Sequence, residues 1–155
     1  APRLAAAGAD LIIGSHPHVM QPLEWITVEQ EDGTSRQSLV AYSLGNFISN
    51  QFHWEPYIPT PKVQYGLVVD VEITKDMQKD LTYISKAGYE ITWVHRNWRH
   101  RVLPLSEVLA SSRPEEYNLT PEQYQNVLAE FVSLKDEVVE KYGFSSVPVV
   151  RPGNN

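Results

Sequence analysis

Residues 8–19, "GADLIIGSHPHV", decide how the rest of the chain is read. The short apolar run Leu11, Ile12, Ile13, bounded by turn-forming residues, has the pattern of a strand buried on both faces. Before it, "APRLAAAG" reads as the last turns of a helix stopping at Gly8. A helix delivered into such a strand predicts an α/β (α+β) layer. Directly after the strand come His16 and His18, separated only by Pro17. Ligands of open α/β sheets bind beyond the carboxyl ends of strands, and imidazole is suited to metal binding and proton transfer.

An extended backbone has a side-chain period of two, so His16 and His18 are expected to project to one side if strand geometry persists through Pro17. Proline fixes its own φ and biases the preceding residue toward an extended conformation, which favours a preorganised pair. Two imidazoles supply at most half of a typical coordination shell, and ordinary loop histidines making hydrogen bonds are the competing reading. Gly14 lets the backbone turn closely at this point.

Working outward, "LEWITVEQ" and "SLVAYSL" flank Asp32-Gly33, a hairpin signal. The following "GNFISNQFHWEPYIPTPK" has three prolines and no period, and is expected to be a long ordered loop. "YGLVVDVEIT" is a half-buried strand with Leu67, Val69, Val71 and Ile73 on one face. The sequence from Leu81 to Leu105 continues as a meander, with Gly88 as a turn between two β-rich stretches. Thr120, Pro121 and Gln123 form a helix start with a capping box, and a C-terminal helix of about 120–142 follows, ended by Gly143. Its stripe of Tyr124, Val127, Leu128, Phe131, Val138, Val139 and Tyr142 is core packing.

With 155 residues the chain is expected to be a single unit, 1–155, and the start without Met or signal-peptide architecture suggests the C-terminal portion of something longer. The net charge of -6 argues against a nucleic-acid surface. Arg96, Arg99 and Arg101, with His95, His100, Trp93 and Trp98, are a basic exception, read as an exposed strand edge with structural histidines. There are no cysteines, which excludes disulfides and thiolate metal sites. No apolar run reaches the roughly 20 residues that span a bilayer.

"GADLIIGSHPHVMQPLEWI", then "LVAYSLGNFISNQ" and "YGLVVDVEI", closely resemble the C-terminal part of the poly-gamma-glutamate capsule biosynthesis (CapA-type, PGA_cap) proteins, of the calcineurin-like metallophosphoesterase superfamily. The resemblance covers about residues 4–73. It implies a metallophosphatase-like β-sandwich flanked by helices, and it aligns His16 and His18 with the last metal motif, G-H-x-H, of a two-metal centre. Ser15 stands where many relatives have another histidine. Asn46, in the S-L-G-N-F block, either orients a ligand or holds the metal loop, or is a turn former bonding its own backbone. The other metal ligands of the superfamily are expected upstream of Ala1, so this stretch alone should bind metal weakly or not at all. Mn, Fe or Zn suit neutral imidazole.

The resemblance further implies a bacterial, extracytoplasmic protein associated with the cell surface, anchored in the membrane by a segment outside this chain. The implied partners are the upstream half of the same protein and an anionic surface polymer or phosphoester. Ser15, Asn46, His53 and Trp54 are candidates for the substrate pocket. Whether the full protein is a hydrolase, of phosphoesters or of a gamma-linked polymer, stays open. The alternative is a non-catalytic module that binds a glycan or polypeptide through the aromatic loop of residues 50–62, with Phe52, Trp54 and Tyr57.

Overall fold

The computed structural model describes residues 1–51, 60–111 and 113–148. The fold is α+β, with two three-stranded sheets and three α-helices among those residues. Helix α1 (Pro2–Ala6) leads into β1 (Leu11–Ile13), as the opening stretch predicts, and Gly8 takes a positive φ between them. The hairpin β2 (Leu23–Glu29) and β3 (Ser35–Ala41) turns at Asp32, whose carboxylate accepts from the Thr34 backbone N–H at 2.9 Å. In the first sheet β3 is central, antiparallel to β2 and parallel to β1.

Strand β1 is therefore an edge strand. Leu11 and Ile13 are 38% and 48% exposed, so the expectation of burial on both faces is corrected: β1 has one hydrogen-bonded neighbour, and these two side chains line a groove rather than the packed core. The junction between α1 and the sheet is polar. Arg36 pairs with Asp10 at 3.1 Å and donates to the Ala5 carbonyl, while Ser38 Oγ donates to the Ala9 carbonyl at 2.7 Å.

The second sheet is the expected meander of β4 (Tyr65–Asp76), β5 (Leu81–His95) and β6 (Arg101–Pro104). Two details differ from the sequence reading. Gly88 is not a turn; β5 runs unbroken through it and pairs it with Asp70. Ile73 does not share the burial of Leu67, Val69 and Val71 but is 62% exposed, although its partner Ile84 is buried; the register shifts between Glu72 and Ile73. Ser85 is left over in β5 as the bulged residue, and beyond it Thr74, rather than Ile73, is half-buried.

The sheets meet where residues 44–46 run along the start of β4. Leu67 N–H donates to the Leu44 carbonyl at 2.7 Å and Asn46 N–H to the Tyr65 carbonyl at 3.1 Å. Gly66 permits this approach, since a Cβ there would lie 2.4 Å from the Asn46 carbonyl oxygen. A single apolar cluster spans both sheets, from Leu23, Leu39 and Ala41 through Leu67 and Ile91 to Leu134. Burying each leucine or isoleucine contributes about 1.5–3 kcal/mol.

Helix α2 (Leu105–Ser111), which no motif had marked, buries Leu105 and Val108. Helix α3 (Pro121–Val138) begins with the predicted capping box and buries Val127, Leu134 and Val138; a short 3-10 turn follows, and Gly143 ends it at positive φ. The chain then returns across both sheets: Trp25 Nε1 donates to the Ser145 carbonyl and Ala87 N–H to the Ser146 carbonyl, each at 2.9 Å.

Candidate metal-ligand loop

Residues 14–19 leave β1 and are clamped against the segment that follows β3. Gly14 N–H donates to the Ala41 carbonyl at 2.7 Å, and Leu44 N–H donates to the Gly14 carbonyl at 3.2 Å. A Cβ on Gly14 would sit 2.1 Å from the Tyr42 carbonyl oxygen, so only glycine allows so close an approach. On the other side the loop is closed by an isolated bridge between Met20 and Leu44 and by Gln21 N–H donating to the Ser43 carbonyl at 3.0 Å.

Strand geometry does not persist through Pro17. Strand β1 ends at Ile13, and both histidines have positive φ, 120° at His16 and 58° at His18. The expected period-two projection is thus replaced by a bent loop. Backbone in sparsely populated regions costs on the order of 1–3 kcal/mol per residue and persists only where the surroundings impose it. Here the clamp on both flanks imposes it, and the two strained residues that are not glycine are the two candidate ligands.

Asn46 connects this loop to β4. The residue is 7% exposed, and its amide nitrogen lies 2.8 Å from the Val63 carbonyl, 3.0 Å from Gln51 Oε1 and 3.2 Å from the His18 carbonyl. Its Oδ1 lies 2.9 Å from His18 Nδ1. The turn-forming alternative for Asn46 does not describe these contacts, which reach residues 28 and 17 positions away in the chain. Val63 belongs to a 3-10 turn before β4 that is tied to α3 by the Lys62–Glu137 ion pair at 2.6 Å. The Lys62 ammonium, with Ser133, holds the Glu137 carboxyl below its ordinary value.

Of the other candidates, Ser15 is exposed on the same loop and lines an apolar groove with Leu11, Ile13, Phe47 and Val68. His53 and Trp54, with Phe52 and Tyr57, lie outside the described residues, as does most of the aromatic loop. His95 is buried and donates from Nε2 to the Asn118 carbonyl at 3.0 Å, the structural role expected of it. His100 donates from Nε2 to Asn50 Oδ1 at 3.0 Å, and Arg101 stacks on Trp98 at 4.3 Å. A separate cleft of about 620 Å³ between the second sheet and α3 is lined by Gln64, Tyr65, Trp93, Asn97, Gln123 and Asn126. Sequence reading did not find it, because its walls come from strand ends and a helix far apart in the chain.

Among the described residues no group of three or more His, Asp or Glu gathers to hold a metal ion. What the loop offers is two exposed imidazoles, one of them oriented by a buried amide. That donor set fits part of a divalent-metal shell, with the remaining donors to come from elsewhere.

Residues 1–51 match the model of the bacterial capsule synthesis protein family PGA_cap. Over its first third the chain is similar to that family. The PGA biosynthesis protein CapA of Bacillus subtilis (strain 168) is 41% identical over 64 residues, which are 41% of this chain and 14% of that protein. The capsule biosynthesis protein CapA of Bacillus anthracis is 39% identical over 61 residues, 39% of this chain and 12% of that protein. The chain thus matches about one-seventh or less of the length of these CapA relatives. No solved structure matches the chain. The matched segment holds α1, the whole first sheet, the histidine loop and Asn46.

Proposed function

We propose that this CapA-type chain acts in the biosynthesis of a bacterial capsule or cell-surface polymer, poly-gamma-glutamate by analogy with its relatives. In this reading His16 and His18 are two ligands of a dinuclear, metallophosphatase-like centre completed by residues outside the chain. The carrying observation is the loop itself: both histidines are held in strained backbone, and His18 is fixed through ring and carbonyl by the buried Asn46. A pair of divalent ions, when bound, supplies an activated water and stabilises charge on a phosphoryl or carbonyl oxygen. The chain's own part is to present two imidazole nitrogens at the end of β1, with Ser15 and the neighbouring groove toward the substrate. In this reading the protein works outside the cytoplasm, at the cell surface. No helix of the described residues is long and apolar enough to cross a membrane, so anchoring would fall to another segment.

The test is Mn and Zn titration calorimetry on the full-length protein, comparing the parent with a His16→Ala, His18→Ala double variant. Tight binding that the variant loses supports the assignment and directs screening to phosphoesters and gamma-glutamyl polymers. Equal binding in both, or none in the parent, overturns it.

The 620 Å³ cleft favours a second reading, a polymer-binding module, because it combines an aromatic wall with a rim of amides. Under that reading Asn126→Ala weakens binding of a glycan or polypeptide while His16→Ala does not, and the metal reading expects the opposite.

A further inference from the structure

We infer that Asn46 is a positioning residue that fixes His18 as its Nδ1–H tautomer, so that Nε2 is the atom presented to a metal or a proton. This rests on the proposed function for its purpose but not for its test. Three oxygens, from Val63, Gln51 and His18, surround one end of the Asn46 amide at 2.8–3.2 Å. That end must be the NH2 group, because oxygens cannot serve as partners to a carbonyl. The other end is then Oδ1, an acceptor only, and it lies 2.9 Å from His18 Nδ1. Only a protonated Nδ1 makes a hydrogen bond there.

In the neutral ring the second nitrogen, Nε2, carries the lone pair. Among the described residues Nε2 has no hydrogen-bond partner, while the ring as a whole is exposed. Free imidazole side chains favour the opposite tautomer, with the proton on Nε2, so the amide reverses an intrinsic preference. Because Asn46 is buried and anchored to the Val63 backbone, it cannot turn to suit either form of the ring. The same amide also bonds the His18 carbonyl, which couples the ring's orientation to the left-handed backbone at that residue.

The experiment is long-range proton–nitrogen NMR of the 15N-labelled, metal-free chain at about pH 8.5, roughly two units above an unperturbed imidazole pKa. The expected His18 pattern is a pyrrole-type Nδ1 and a pyridine-type Nε2. Asn46→Ala is expected to release the ring to a predominantly Nε2–H form. An Nε2–H ring in the parent overturns the inference, as does an Nδ1–H ring that survives in a folded Asn46→Ala. Should the alanine variant not fold, the parent spectrum still decides, because an Nε2–H ring there overturns the inference. Metal is absent throughout. An Nδ1–H ring in a protein that fails the calorimetric test therefore refutes the metal centre alone, and tight metal binding with an Nε2–H ring refutes the positioning role alone.

Discussion

At the scale of the residue, the histidine loop depends on a few atoms. Gly14 lies so near β3 that an added methyl would meet the Tyr42 carbonyl oxygen at 2.1 Å, and backbone cannot move aside as a flexible side chain can. Gly14→Ala is therefore expected to lower stability by about 1–3 kcal/mol, as overpacking does. Gly88→Ala is the internal comparison: its nearest neighbour is the Asp70 side chain at 3.9 Å, and it should leave the melting temperature unchanged or slightly higher. Equal stability of the two variants in thermal denaturation would show that the close contact at Gly14 is not made. The residue types of this loop were legible in the sequence, since His16 and His18 stand at a strand end. Their conformation was not. Local preference placed His16 in extended backbone ahead of Pro17, whereas the clamp from residues 41–46 holds it at a φ of 120°.

At the scale of the element, α3 shows how far local rules reach. Thr120 Oγ1 accepts from Gln123 N–H at 3.2 Å, and Gln123 Oε1 accepts from Thr120 N–H at 2.9 Å. Each of these bonds lies within one turn, which is why the helix start could be read directly from Thr-Pro-Glu-Gln. Thr120→Ala should cost about 1 kcal/mol in urea unfolding, and an unaltered midpoint would mean that the cap does not contribute. Strands β4 and β5 show the opposite case. Their identity follows from alternation, yet a glycine read as a turn is an ordinary paired residue, and a bulge at Ser85 interrupts the register. Pairing with a neighbouring strand decides such points, and one strand's sequence does not contain its neighbour's register.

At the scale of the whole molecule, the described surface carries an apolar band along the edge strand β1 and beside it. Phe47 and Ile48 are 60% and 65% exposed, and Phe47 joins Leu11, Ile13 and Val68 around a groove of about 510 Å³. An apolar edge strand left open is a site for association. The isolated chain is accordingly expected to self-associate with rising concentration, and an Ile13→Lys, Phe47→Lys variant to associate less at an unchanged melting temperature. Sedimentation velocity checks this, and a parent that stays monomeric at high concentration would refute it. The sequence by itself determined the hairpin, the capped helix, the strand character of β1 and β4 and the two histidines beyond β1, because periodicity, turn chemistry and capping act within a few residues. Only the tertiary structure decided the positive φ at both histidines, the exposure of β1 and the partnership of Asn46 with His18. Those depend on segments distant in the chain, whose packing against one another overrides local preference.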